Sequence, residues 1–180
     1  MRWISFILGA LVVLTLQSVL GPRLQIAGAR PDLLLVYVLF FALYGRRLHA
    51  VVGAWGIGAV ADLMTVERAG LLSLTYFAAA AMVTLIRDSV FRYESVTQFA
   101  VVQLTGLVVQ IGWLGYRIAI YPAFDPPWGT AAVGALAAAA YTALLAPLLY
   151  RLLLRAPALF GLPRTRYAYG MSSDAEDHRV

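Results

Sequence analysis

The run Arg46-Arg-Leu-His-Ala-Val-Val-Gly-Ala-Trp-Gly-Ile-Gly-Ala-Val-Ala-Asp-Leu-Met64 decides how the rest of the chain is read. A short polar link, Thr65 to Ala69, joins it to a second apolar run, Gly70 to Ile86. Each run has about seventeen residues, roughly 25 Å as helix, enough to cross most of a ~30 Å hydrocarbon core. A carboxylate is the one feature such a run should avoid, and Asp62 lies inside the apolar part. Charge at membrane depth is tolerated where it faces other helices or a wet cavity. Ala50, Ala54 and Gly58 precede Asp62 at intervals of four, on the same helix face. Small residues there let a neighbouring backbone come close. Two readings follow: a buried, partnered Asp62 near the far end of its span, or an interfacial Asp62 that ends the helix in headgroup water.

Composition agrees with a membrane location. The chain is 62% hydrophobic and 13% charged, against about 45–50% and 25% in soluble domains. Without cysteine there is no disulfide, thiolate metal site or cysteine nucleophile. The net charge of +5 is spread over span ends rather than gathered in a patch, which argues against nucleic acid. The pattern predicts an all-α membrane protein, a six-helix transmembrane bundle over residues 1–156, followed by a disordered cytoplasmic tail, 157–180. Ten of the fourteen arginines fall on the side of the termini; Arg23, Arg30, Arg68 and Arg117 fall on the other. The positive-inside rule then places both termini in the cytoplasm.

Working outward, the first span covers about Trp3 to Leu20, with Gln17 and Ser18 near its outer end, wet or bonded to a neighbouring helix. Arg30-Pro31-Asp32 opens the second span, Leu33 to Tyr44, as a proline in the first turn and an acid at the positive end of the helix dipole suit a helix start. That span has only about twelve apolar residues; it requires snorkelling by Arg46, bilayer thinning, or burial among longer helices. Arg87 to Glu94 reads as a solvated link of mixed charge. In the fifth span, Val96 to Tyr121, Gln103, Gln110 and Arg117 recur every seven residues on nearly one face. Arg117 is placed either to pair with Asp62 or to snorkel to the outer interface. A proline-rich outer turn follows from Pro122, and the sixth span, Thr130 to Leu154, is Ala-rich and contains Pro147.

Catalysis has little to stand on. An aspartyl dyad needs two deep carboxylates, and only Asp62 qualifies; His49 and His178 lie at an edge and in the tail. No metal-ligand spacing or phosphate loop is present, so no cofactor is expected. Two classes remain: a scaffold with an exposed apolar or small-residue groove, or a transport subunit whose Asp62, Arg117, Gln103 and Gln110 line a ligand chamber.

Three segments in order, Leu16 to Leu24, Arg30 to Leu35 and Val52 to Leu63 with Gly70-Leu71 after it, resemble the MreD family of the bacterial rod-shape machinery. The resemblance covers the first half of the chain. The chain departs from it at Ala80 to Val83 and in the charged link containing Glu67 and Arg68. It implies a non-enzymatic subunit of the inner membrane that binds an MreC-like protein. Through that partner it would meet a RodA-type glycosyltransferase, a penicillin-binding transpeptidase and, indirectly, the MreB cytoskeleton. It also implies a fold similar to the S component of energy-coupling-factor transporters, which keeps a vitamin-binding transport subunit as the alternative. Arg30, Pro31, Asp32, Gly58, Asp62 and Arg117 are the positions expected to shape the bundle or its partner surface. Asp62 is expected to set the packing of spans two, three and five.

Overall fold

The computed structural model describes residues 3–21, 23–25, 29–64, 70–88, 94–120 and 128–155. The links 65–69 and 121–127, most of the charged link (89–93), and the tail lie outside them. Among the described residues there are six α-helices and no strand. These are α1 (Trp3–Leu20), α2 (Leu33–Tyr44), α3 (Arg47–Leu63), α4 (Leu71–Ile86), α5 (Ser95–Ile120) and α6 (Trp128–Leu154). Three are long and apolar enough to cross a membrane: α1, α5 to Arg117, and α6 from Gly129. The predicted boundaries hold to within a residue or two, and α6 runs unbroken through Pro147.

The bundle is built around α2. Every residue from Leu34 to Tyr44 is buried, and α2 packs against all five other helices. A helix that is apolar all round has no solvent or polar face to offer and must sit inside. This resolves the short second span: twelve residues rise only ~18 Å, and burial among longer helices, rather than snorkelling or thinning, accommodates it.

Side-chain contacts fix the directions. Phe6 of α1 meets Tyr37 and Phe41, and Gln17 meets Asp32, so α1 is antiparallel to α2. Tyr76 meets Asp32 while Arg87 meets Gly45, so α4 is parallel to it. Thr142 meets Asp32 while Tyr150 meets Phe40, so α6 is parallel too. Odd and even helices therefore alternate in direction, and Trp3 and Leu154 lie at one end. Among the described arginines, 46, 47, 87, 151 and 155 cluster at that end, and 23, 30 and 117 at the other.

Helices α3 and α4 approach closely. The predicted face of α3 is the packed one: Ala50, Ala54, Gly58 and Asp62 are all buried, together with Gly53, Ile57 and Ala61. A Cβ on Gly58 would lie 2.4 Å from Ser73 Cα and 2.7 Å from the Leu72 carbonyl oxygen, both backbone atoms that cannot swing aside. Gly56 has open space where its Cβ would be. Gly58→Ala is therefore expected to push the helices apart and cost about 3 kcal/mol. Gly56→Ala should be neutral or stabilising by up to about 1 kcal/mol through helix propensity. Unfolding of the detergent-solubilised variants by sodium dodecyl sulfate separates the two; equal midpoints would refute the close approach.

Candidate functional site

The end of the bundle away from Trp3 carries two carboxylates, each set against the N-terminus of a helix. A helix start leaves backbone N–H groups unpaired, and in lipid no water is present to take them. Asp62, 5% exposed, supplies the missing acceptors to α4 from across the helix interface. Its Oδ2 accepts from Gly70 N–H at 2.9 Å, Ser73 N–H at 3.0 Å and the Ser73 hydroxyl at 2.6 Å. Its Oδ1 accepts from Leu72 N–H at 2.9 Å. Gly70 is the N-cap of α4 and adopts φ +103°, a left-handed conformation that glycine tolerates and that brings its N–H to Asp62. The carboxylate thus serves as a cap contributed by another helix, and its negative charge meets the positive end of the α4 dipole.

Asp32 does the same for α2, within its own chain segment. As N-cap it accepts from Leu35 N–H at 2.9 Å, while Gln17 Oε1 of α1 accepts from Leu34 N–H at 2.8 Å. The Tyr76 hydroxyl of α4 donates to the Asp32 carboxylate at 2.9 and 3.1 Å. Asp32 N–H in turn donates to Thr142 Oγ1 of α6 at 2.9 Å. Four helices are joined at one point, with Tyr76 on the same face of α4 as Ser73, three residues before it.

At the opposite end, Arg87 closes α2. Its Nη1 donates to the Gly45 carbonyl and, at 3.3 Å, to the Ala42 carbonyl, two of the acceptors a helix C-terminus leaves open. The link beginning at Arg87 is therefore not simply solvated: its first side chain is 13% exposed and is part of the α2 cap, while Asp88 beside it pairs with Arg47. Nearby, Gln98 Nε2 donates to the Tyr44 hydroxyl at 2.8 Å.

The sequence-predicted residues do not all come together. Asp32, Gly58 and Asp62 meet in the ties just described, with Pro31 buried beside Asp32. Gln17 bonds a neighbouring helix, whereas Ser18 turns back to its own Leu14 carbonyl. Arg30 is exposed and donates through Nε to Gln25 Oε1 at 2.9 Å. The Arg117 guanidinium carbon is 4.1 Å from the centre of the Trp113 ring, and α3 and α5 share at most a marginal contact. The four hydrogen bonds from α4 account for the burial of Asp62 without Arg117. The helices Asp62 ties are α3 and α4, which corrects the expectation of a two–three–five junction.

Ser73, Tyr76, Thr142 and Arg87 are the contributors the sequence reading passed over. A Ser three residues after Gly70 and a Tyr three further on, inside an otherwise apolar run, were the available signals. Two lateral grooves flank α1, one against α3 and one against α6, and both are lined almost wholly by apolar atoms. Neither is lined by Asp62, Gln103, Gln110 or Arg117, the residues a ligand chamber would have used.

In comparison with known sequences, the family described as rod shape-determining protein MreD matches residues 1–155. No curated protein matches the chain. No solved structure matches it.

Proposed function

The chain belongs to the MreD family of rod shape-determining proteins, and from that premise we propose that it is a non-enzymatic scaffold of the bacterial inner membrane. It crosses the membrane six times with both termini in the cytoplasm, binds an MreC-like protein, and through it engages the wall-elongating glycosyltransferase and transpeptidase and, indirectly, MreB. The arginine asymmetry between the two ends of the bundle supports the orientation. The observation that carries the scaffold reading is the state of the two buried carboxylates. Asp62 accepts three backbone N–H groups and a hydroxyl from the start of α4, and Asp32 accepts one N–H from the start of α2 and the Tyr76 hydroxyl, which suits them to hold a shape and leaves them poorly suited to turnover. The apolar grooves favour docking over the alternative of a transport subunit with a polar chamber.

The surface proposed for the MreC-like partner is the outer end of α3, where Leu63 and Met64 are 83% and 64% exposed immediately beside the Asp62 tie. A partner helix or its adjoining outer segment would cover them. Leu63→Ser with Met64→Ser removes apolar surface without touching a buried contact, and Asp62→Ala disorganises the surface from below. Both are expected to lower co-purification with tagged MreC several-fold while membrane insertion stays normal. Wild-type yield of the complex from both variants, at equal expression, would reject the docking surface.

A further inference from the structure

The groove between α1 and α3 has a volume of about 390 Å³ and is open to the side. Ile7, Leu11 and Leu14 form one wall, Gly56 and Val60 the other, and Trp3 stands at one end. On α1 it extends from Trp3 to Leu14, about eleven residue steps or ~16 Å. That is roughly half of a ~30 Å hydrocarbon core, the depth of one leaflet. A transmembrane helix of a partner would need the full depth; a single acyl chain does not.

Arg46 and His49 precede the part of α3 that lines the groove. His49, Gly53, Gly56 and Val60 recur at the spacing of one helix face, and Arg46 stands one turn before His49 at the start of α3. The His49 ring centre is 5.4 Å from that of Trp3, and its buried Nδ1 has no hydrogen-bond partner among the described residues. Arg46 is exposed and forms no ion pair among the described residues, whereas its neighbour Arg47 pairs with Asp88. An apolar trough one leaflet deep, with the exposed Arg46 on the helix face that leads into it, has the chemistry of an anionic phospholipid site. We infer that the α1–α3 groove holds one acyl chain of an anionic phospholipid whose phosphate is met by Arg46.

Trp3 and Trp55 both line the groove and report on it directly. A Trp113→Phe, Trp128→Phe background leaves these two as the only tryptophans. The full chain in this background is reconstituted into vesicles containing phosphatidylglycerol or phosphatidylcholine brominated on the same acyl chain, and fluorescence is followed against mole fraction. Half-quenching is expected at about fivefold lower mole fraction for phosphatidylglycerol, the preference one cation near an anionic surface supplies. Arg46→Gln should bring the two curves together. Gly56→Leu, which fills the groove from a position with free space, should remove the excess quenching by either lipid. Equal curves for the wild type would mean ordinary boundary lipid only and overturn the inference, as would a preference that survives Arg46→Gln or an excess of quenching that survives Gly56→Leu. A co-purifying protein that must be stripped before either lipid quenches would assign the groove to a protein helix and overturn it as well. The readout uses this chain alone, so it stands or falls separately from the binding of an MreC-like partner.

Discussion

Asp62→Ala should lower the unfolding free energy of the isolated protein by about 3–5 kcal/mol, the largest loss among single substitutions in this chain. The size follows from what is left behind. Three backbone N–H groups, those of Gly70, Leu72 and Ser73, and the Ser73 hydroxyl lose their acceptor together, and each buried donor without a partner costs about 1–3 kcal/mol. Some recovery comes from fraying of the first turn of α4, which lets water reach the freed groups and keeps the total below a simple sum. Asp62→Asn keeps an acceptor oxygen and the shape but turns the other position into a donor facing N–H groups, so it should fall between wild type and Asp62→Ala. Hydrogen exchange would localise the damage: faster exchange at residues 70–76 with little change in α5 and α6. An Asp62→Ala protein with an unaltered denaturation midpoint would remove the cap from the account of this fold.

The same residue shows what could and could not be read from the sequence. The interval of four linking Ala50, Ala54, Gly58 and Asp62 was enough to place the carboxylate on a packed face, because helix geometry ties spacing to direction. Its partner was not legible. Arg117 is the opposite charge that the sequence offers, but a carboxylate can be satisfied as well by the partial charges of a helix start, and those carry no residue signature. The role of Arg87 is hidden for the mirror reason. A charge next to Asp88 and Glu94 resembles a solvated link, and its true partners, the Ala42 and Gly45 carbonyls, belong to the backbone of a helix whose shortness alone hinted that its ends lie below the surface. The resemblance carried by Arg30 to Leu35 and Val52 to Leu63 identified the family, and these segments hold Asp32 and Asp62. The second half of the chain contributes Thr142 and Tyr150 to the packing of α2 without any motif of its own.

The second large effect is expected at the other carboxylate. Asp32→Ala removes the N-cap of the central helix, worth about 0.5–2 kcal/mol in ordinary settings, and orphans the Tyr76 hydroxyl on a residue that is 2% exposed. The two together predict a loss of about 2–4 kcal/mol. Tyr76→Phe, which removes the hydroxyl but preserves the ring, should cost about 1 kcal/mol, since Asp32 keeps the Leu35 N–H. The informative quantity is the double variant. Once the carboxylate is gone the Tyr76 hydroxyl is a liability, so adding Tyr76→Phe to Asp32→Ala should restore stability, giving a coupling of about 1–3 kcal/mol. A bond between α2 and α4 that merely accompanies good packing would give additive losses and no rescue. Measured rescue would establish that α2 is held at membrane depth by paired polar groups at its start, with Arg87 performing the equivalent task at its end. On that footing Arg87→Ala combined with Asp32→Ala should lose more than either alone, by close to the sum, because the two caps are separated by the length of α2 and share no partner.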